Sequence, residues 1–169
     1  YRIGVVPVYD SKFLNDPKKD YSYYAYENGK KVIKVGPRIM NPYGELVSLK
    51  DANGQVLTDI KDANGQVMTD IPPYITRETP DAINVLKNTV AMGTQWGPEA
   101  EESFSPVLKI ISDKNLNKNI NGDFYQKDAY LVVIFLTDAD DATRSVTAYS
   151  FLKKLIDAKG GDKNKILIA

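Results

Sequence analysis

Residues Tyr130–Asp141, YLVVIFLTDADD, place seven apolar or aromatic residues directly before a threonine and three acids. A short apolar run rich in valine, isoleucine and aromatic residues predicts a strand that is buried on both faces. Acidic groups just beyond such a strand lie where open α/β sheets bind their ligands. Carboxylates grouped there repel one another unless a cation or hydrogen-bond donors neutralise them. This stretch therefore predicts a site for a hard cation with oxygen ligands.

The composition restricts the chemistry that the chain can perform. Its 169 residues are enough for one domain with a hydrophobic core, and its 22 basic and 22 acidic residues balance. We therefore expect no nucleic-acid partner. The absence of cysteine and histidine excludes thiolate and imidazole metal ligands, together with Ser-His-Asp and Cys-His catalysis. No apolar run approaches the roughly 20 residues needed to span a bilayer, so we expect no membrane span.

The amino-terminal region carries β-strand patterns. Arg2–Tyr9, RIGVVPVY, predicts a buried strand because its apolar residues occupy both parities. Asn28-Gly29 separates the tyrosine-rich stretch Tyr21–Tyr26 from Lys31–Val35, which predicts a hairpin. Two interpretations of the tyrosines stay open, namely an exposed binding platform and ordinary cross-strand pairing.

An internal repeat follows the hairpin. Lys50–Ile60, KDANGQVLTDI, and Lys61–Ile71, KDANGQVMTDI, differ only at Leu57 and Met68. Each copy contains an Asn-Gly pair and predicts a short β-turn unit. The acidic and amide residues resemble the start of a calcium loop, but no glutamate follows at the twelfth position. We interpret the repeat as a tandem duplication in a tolerant surface loop, and residues 21–73 as a hairpin-and-repeat insertion within the domain.

Helix signals begin after this insertion. Thr79-Pro80-Asp81 predicts a helix start, with a capping hydroxyl, a proline in the first turn and an acid beside the helix dipole. The spacing of Ile83, Leu86 and Val90 predicts its buried stripe, and Gly93 its end.

Two further helices and a strand complete the pattern. A second helix is predicted from Gly97-Pro98, with Pro106 kinking it. Its predicted apolar face consists of Ala100, Phe104, Val107, Leu108 and Ile111. Asn115–Asp128 predicts a polar loop. Ser145–Lys159 predicts a helix whose apolar side carries Val146, Tyr149, Leu152 and Ile156, and Lys165–Ala169 predicts a strand. This order of elements predicts an α/β fold with a mostly parallel sheet flanked by helices and carrying inserted β-hairpins.

A resemblance is carried by Arg2–Val8, Met92–Gly97, Phe135–Asp138, and the run TDADD with the Ser-headed helix that ends in Lys159–Gly161. Together these segments resemble the von Willebrand factor A domain, and the last is especially similar to members from bacterial surface proteins and lipoproteins. Arg2–Val8 is similar to the family's second strand. Met92–Gly97, MGTQWG, resembles the loop whose threonine binds a metal, and Phe135–Asp138, FLTD, resembles the fourth-strand motif whose aspartate binds the same metal. The resemblance implies a three-layer, Rossmann-like sandwich spanning residues 1–169. It also implies an extracellular or cell-surface bacterial protein, with the periplasm as an alternative.

This resemblance implies a metal-ion-dependent adhesion site and no enzymatic activity. Thr94 and Asp138 would bind Mg²⁺, or Ca²⁺ or Mn²⁺ in its place, at the carboxyl end of the sheet. A protein or glycan ligand with an acidic group would complete the metal's coordination. Four further side chains would surround the metal or border the ligand surface, namely Gln95, Trp96, Asp140 and Asp141.

One family feature is missing, because no Asp-x-Ser-x-Ser motif ends a first strand. Asp10-Ser11 follows the strand that resembles the second one, and Ser103–Ser105 lies in a predicted helix. We therefore expect a domain that is incomplete at both ends. Another chain, or a segment beyond this sequence, would supply the central strand, since unpaired apolar edges in the middle of a sheet are untenable.

Other interpretations of the same residues remain. Thr94 could cap the helix that follows it, and Asp140 and Asp141 could be capping or solvated acids. With the serine motif missing, the chain could be a structural or assembly subunit whose metal site is degenerate and holds no metal. Asp138-Ala139-Asp140 also resembles the nucleophile motif of magnesium-dependent phosphotransferases. That reaction needs further motifs, and too few residues follow Asp141 to hold them.

Overall fold

The computed structural model describes residues 1–8, 21–27, 30–36, 44–51, 53–61, 66–91, 101–137, 140–143 and 145–169. Its strands are β1 (Tyr21–Glu27), β2 (Lys30–Gly36), β3 (Ile60–Lys61), β4 (Val67–Met68), β5 (Leu131–Val133) and β6 (Ile166–Ile168). Its α-helices are α1 (Ala82–Val90), α2 (Phe104–Ser112) and α3 (Ala148–Ala158), and a π-helix covers Leu116–Ile120. The longest of these helices, α3, has 11 residues, and none in the described part of the chain has the length and apolar character to cross a membrane.

A β–α–β unit, formed by β5, α3 and β6, contains the apolar run Tyr130–Leu136. Strands β5 and β6 are parallel neighbours, with Leu131 opposite Ile166 and Val133 opposite Ile168. Hydrogen bonds continue past the strand ends, since the Phe135 N–H donates to the Ala169 carbonyl at 2.9 Å. The mixed α/β content and the parallel pair are as predicted.

The largest apolar cluster fills the space between this strand pair and two helices. Val133, Phe151 and Leu155 are buried at its centre. The aromatic rings of Phe104 and Phe151 stack with their centroids 4.4 Å apart, which joins α2 to α3. Partly buried side chains from both helices and both strands surround this centre, including Val107, Leu108, Ile111, Phe135 and Ile166. Helices α2 and α3 therefore cover one face of the strand pair.

The opposite face of β5 is exposed, so the prediction of burial on both faces is wrong. Val132 and Ile134 alternate with the buried and half-buried side chains and are 55% and 63% exposed. Tyr130, Leu136 and Leu167 are exposed as well. The physical reason is that among the described residues the helices that pack on this pair lie on one side only.

The predicted first strand is reduced to a single antiparallel bridge. Ile3 and Ile75 exchange two backbone hydrogen bonds of 2.9 and 2.8 Å, and the Val47 N–H donates to the Val5 carbonyl. Pro7 has no N–H and cannot extend such a ladder. Where described, this segment pairs with Val47 and Ile75 and not with β5.

Helix α1 buries only part of the predicted stripe, since Leu86 packs against the core cluster that contains Val85. Val85 and Thr89 are buried, whereas Ile83 is 82% exposed and Val90 is also exposed. Thr89 can be buried because its hydroxyl donates to the Val85 carbonyl at 2.7 Å and accepts from the Lys50 N–H at 3.2 Å.

The predicted start of α1 is also altered. Thr79 does not cap the helix, because its hydroxyl accepts from the Thr76 N–H at 3.0 Å. Asp81 precedes the first helical residue with a positive φ of 48° and makes no capping hydrogen bond. The predicted end at Gly93 lies outside the described residues.

Helix α2 is not kinked by Pro106. The helix begins at Phe104, so Pro106 lies in the first turn, where backbone N–H groups have no partner within the helix. The predicted start at Gly97-Pro98 lies outside the described residues.

The predicted stripe of the third helix is correct only in part. Val146 packs against the core and Ile156 of α3 is half-buried, whereas Tyr149 and Leu152 are exposed. The buried residues of α3 are Phe151 and Leu155.

The repeat forms two hairpins in the same register. Lys50 bridges to Val56 in the first copy, and Lys61 pairs with Val67 in the second. Lys61 and Val67 are the residues of the second copy that correspond to Lys50 and Val56. Farther upstream, β1 and β2 form the predicted hairpin, with Glu27 opposite Lys30.

Asn121 joins the predicted polar loop to the rest of the fold. It is 0% exposed, and its Oδ1 accepts from the Leu46 N–H at 3.0 Å. Its Nδ2 donates to the Gly44 carbonyl at 2.9 Å. The segment predicted as a polar loop thus contains the π-helix and a buried amide that holds residues 44–46 in place.

Candidate functional site at the carboxyl end of the parallel strands

The carboxyl end of β5 faces the amino end of α2, and we call the polar groups at this junction the β5 rim. It consists of Glu101, Ser103, Thr137, Asp140, Asp141 and Thr143. Strand β5 leads towards Thr137, and α2 begins just after Ser103. Strand and helix are held together because the Ala142 N–H donates to the Glu101 carbonyl at 2.7 Å.

Asp141 caps α2 from a distant part of the chain. Its Oδ1 accepts the backbone N–H of Ser103 at 2.6 Å and that of Phe104 at 3.2 Å. The same oxygen accepts the Thr143 hydroxyl at 2.7 Å, and Oδ2 accepts the Thr143 N–H at 3.2 Å. The carboxylate therefore satisfies N–H groups that lack partners within the helix, and its charge is favourable at the positive end of the helix dipole.

Glu101 and Thr137 form the exposed part of the rim. The Thr137 hydroxyl donates to Glu101 Oε2 at 2.7 Å. This contact places a hydroxyl oxygen and a carboxylate directly beyond the end of the strand. Asp140, which directly precedes Asp141 in the chain, is also exposed.

Ser103 contributes a buried hydroxyl. The residue is 5% exposed, and within the described part of the chain its Oγ is buried without a hydrogen-bond partner. Most buried polar groups have a partner, so such an oxygen calls for an explanation.

The structure describes only part of the predicted site. Thr94, Gln95, Trp96 and Asp138 lie outside the described residues. Asp140 and Asp141 both lie at the rim, but they are in different environments. Asp140 is solvated, whereas Asp141 has the capping role that the sequence left as an alternative.

The donor groups at the rim suit a hard cation in type but do not form a complete site. Carboxylate and hydroxyl oxygens are the ligands that Mg²⁺ and Ca²⁺ prefer. Among the described residues, however, no group of three or more acidic side chains could hold a metal ion. Any metal at the rim would therefore need ligands from residues outside the described ranges.

The sequence patterns do not identify Glu101 and Ser103 as members of this site. Glu101 precedes the actual helix start by a few residues, so locating the helix at Phe104 would have identified its position at the rim. Thr137 belongs to the segment that resembles the family's fourth-strand motif, but that resemblance does not predict its contact with Glu101. The pairing joins residues 36 positions apart, and no local pattern encodes it.

A second polar cluster lies at the carboxyl end of α3. Lys159 is buried, its Nζ donates to the Gln126 carbonyl at 2.6 Å, and it lies 4.4 Å from the centre of the Tyr125 ring. The pKa of Lys159 is lowered mainly by burial and to a smaller extent by the charge of Lys165. Burial raises the pKa of Tyr125. The Tyr125 hydroxyl donates to the Ala158 carbonyl at 2.9 Å, so this cluster ties the end of α3 to the preceding loop.

Comparison with known proteins identifies no relative. No protein-family model matches the chain, and no curated protein or solved structure matches it either. The resemblance to the von Willebrand factor A domain therefore rests on the quoted segments alone.

Proposed function

We propose that this chain is part of a non-enzymatic adhesion or protein-interaction domain of the von Willebrand factor A type. It binds a ligand through a divalent metal at the β5 rim. The protein acts at a bacterial cell surface, and the ligand is a protein or glycan that presents an acidic group.

The observation that carries the proposal is the contact between Thr137 and Glu101. Their oxygens, 2.7 Å apart, lie at the carboxyl end of a parallel strand pair, the part of an α/β sheet where ligands bind. Both groups are oxygen donors, which agrees with a hard cation.

Asp138 and Thr94 would hold the metal, and Glu101 and Thr137 would complete or support its coordination. A bound Mg²⁺ would supply a positive charge that attracts an acidic group. Asp140, which is exposed at the rim, would border the ligand. Gln95 and Trp96 would form the facing border.

The exposed face of β5 supports the larger architecture that we propose. A contiguous apolar surface of this kind on a soluble protein normally has a covering layer. In a three-layer sandwich, helices would cover Val132, Ile134 and Leu136, and a central strand would pair with the edge of β5 that is unpaired among the described residues. Another chain, or a segment beyond this sequence, would supply the central strand.

Calorimetric titration with Mg²⁺ or Mn²⁺ tests this proposal. We expect saturable binding that Asp138→Ala abolishes and Glu101→Gln weakens. Asp157→Ala, which removes an exposed acid on α3, is the matched control and should bind as the unaltered chain does. Hydrolysis of an aryl phosphate that Asp138→Ala abolishes would support a phosphotransferase and contradict the proposal.

A structural subunit without a working metal site is the second candidate. It is favoured by Asp141, whose two oxygens accept four hydrogen bonds within the fold and are thereby committed to holding α2. No metal binding, together with destabilisation by Asp141→Ala, would favour this candidate.

A further inference from the structure

The sequence contains four Asn-Gly pairs, and the structure describes two of them in opposite environments. Asn53-Gly54 lies at the tip of the first repeat hairpin, and Asn121-Gly122 lies beside the core. An asparagine followed by glycine can cyclise, because glycine has no side chain to hinder attack by its backbone nitrogen on the preceding carboxamide. The environment of each pair decides whether this reaction can occur in the folded protein.

Asn53 is open to this reaction. Its side chain is exposed, and its carboxamide has no hydrogen-bond partner among the described residues. Gly54 has a φ of +75°, and an added Cβ at this position would meet no atom within 4 Å. The Asn53 carboxamide can therefore rotate towards the Gly54 nitrogen without losing a hydrogen bond.

The folded structure hinders cyclisation at Asn121. Both ends of its buried carboxamide are engaged, with Leu46 and with Gly44. The next residue, Gly122, borders the core, since an added Cβ would be in ordinary van der Waals contact with Tyr74 Cε1 at 3.4 Å and Pro72 Cβ at 3.6 Å. Cyclisation there requires the core around residues 44–46 to open.

The hairpin itself slows the reaction at Asn53. The Gly54 N–H, which must lose its proton to attack, donates to the Asp51 carbonyl at 3.0 Å. The Asp51 carboxylate accepts the N–H groups of Asn53 and Gln55 at 2.8 and 2.9 Å and holds the turn closed. The rate at Asn53 therefore depends on local opening of this turn, which costs far less than opening the core.

We propose that Asn53 is a site of spontaneous deamidation in the folded protein and that Asn121 is protected. The Gly54 nitrogen attacks Asn53 Cγ and forms an N–C bond, while the bond from Cγ to Nδ2 breaks. Ammonia leaves with the proton from the Gly54 N–H. Water then opens the cyclic imide at either carbonyl and yields aspartate or isoaspartate. The hairpin tip gains a negative charge two residues from Asp51, and isoaspartate adds a methylene to its backbone.

Incubation of the intact chain at mildly alkaline pH, followed by tryptic digestion and mass spectrometry, tests the proposal. Cleavage after Lys50 and Lys61 isolates Asn53 from the identical pair Asn64-Gly65 of the second copy. Cleavage after Lys118 and Lys127 isolates the peptide that contains Asn121. We expect Asn53 to react at least about tenfold faster than Asn121 in the folded chain, and the two to react at comparable rates in urea. Asn53→Gln should remove the product from its peptide.

Asp51→Ala gives a second measurement. It removes the carboxylate that closes the turn, so the rate at Asn53 should rise several-fold while the rate at Asn121 stays unchanged. Equal rates at Asn53 and Asn121 in the folded chain would overturn the proposal. An unchanged rate at Asn53 in Asp51→Ala would overturn the role of the turn.

Discussion

The Asp141 carboxylate accepts the backbone N–H of Ser103 at 2.6 Å, although the two residues are 38 positions apart. The contact attaches the segment after β5 to the first turn of α2. Since Phe104 follows Ser103 and stacks on Phe151 of α3, the same carboxylate also orients the core aromatic cluster. Asp141 thus links the rim to the packing beneath it.

Asp141→Ala should lower the free energy of unfolding by about 1 to 2 kcal/mol, because it leaves helix N–H groups without an acceptor. Asp141→Asn retains an acceptor oxygen and should lose less. Urea unfolding followed by circular dichroism measures both. Asp140→Ala is the matched control, since it removes an adjacent exposed acid. Equal losses for Asp140→Ala and Asp141→Ala would show that the cap contributes nothing.

Asn121→Ala should be more damaging, with a loss of about 2 to 4 kcal/mol. The variant leaves the Leu46 N–H and the Gly44 carbonyl buried without partners. Asn119→Ala is the control, because Asn119 is exposed and bonds only to the Asn115 side chain among the described residues. Thermal or urea unfolding gives the comparison. A loss for Asn121→Ala no larger than that for Asn119→Ala would contradict the anchoring role.

Deletion of residues 61–71 should leave the fold intact. The two repeats have the same pairing, so the deletion removes one hairpin. It joins Ile60 directly to Pro72, the residue that follows Ile71 in the unaltered chain. Ile60 would then take the place of Ile71, which packs against Leu49, Ile75 and Val85. We expect a change in the free energy of unfolding within about 1 kcal/mol, since loop length itself has a small cost.

Deletion of residues 50–60 is the matched comparison for this experiment. The two shortened chains have the same length and differ only by leucine or methionine at one position. Their stabilities should agree closely. Unfolding of either chain would show that the copies are not interchangeable.

Asp113 should contribute to stability in a pH-dependent manner. The Leu116 N–H donates to its Oδ1 at 2.9 Å, and Lys109 Nζ lies 2.7 Å from its Oδ2. These contacts lower the pKa of Asp113 below its usual 3.8, and the hydrogen bond from the Leu116 N–H has the largest effect. The folded state therefore binds this proton less readily than the unfolded state, and the stabilisation is fully present above the unfolded value.

As the pH falls from about 5 through the folded pKa of Asp113, this stabilisation should disappear. Unfolding measurements on the unaltered chain and on Asp113→Asn should differ at neutral pH and converge in acid. A difference that stays constant down to acidic pH would contradict the assigned pKa direction.

The parallel strand pair was predictable because its signal is local. A valine- and isoleucine-rich run, a helical segment and a second apolar run define a β–α–β unit without knowledge of any distant contact. The Asn-Gly turn of the first repeat was predictable for the same reason, since Asp51 and Gly54 determine the turn within a few residues.

What the sequence left undetermined depends on tertiary contacts. Thr89 is buried in place of Ile83 because Lys50, a residue of the repeat, supplies a partner for its hydroxyl. A hydrophobic pattern cannot reveal such a partner. At the rim, the functions of Glu101 and Asp141 follow from where α2 begins, and the contact of Asp141 with that turn joins residues 38 positions apart. Asp138 and Thr94 keep the status of sequence predictions.

Paramagnetic broadening by Mn²⁺ tests the central claim most directly, because it reports where a metal binds. In amide-resolved NMR spectra of the chain, substoichiometric Mn²⁺ should broaden the signals of Glu101, Thr137 and Asp140 first. The amide of Asn164, before the amino end of β6, should remain sharp. Asp138→Ala should abolish the selective broadening. Uniform weak broadening, or selective broadening centred away from the rim, would contradict a metal site at the carboxyl end of the parallel strands.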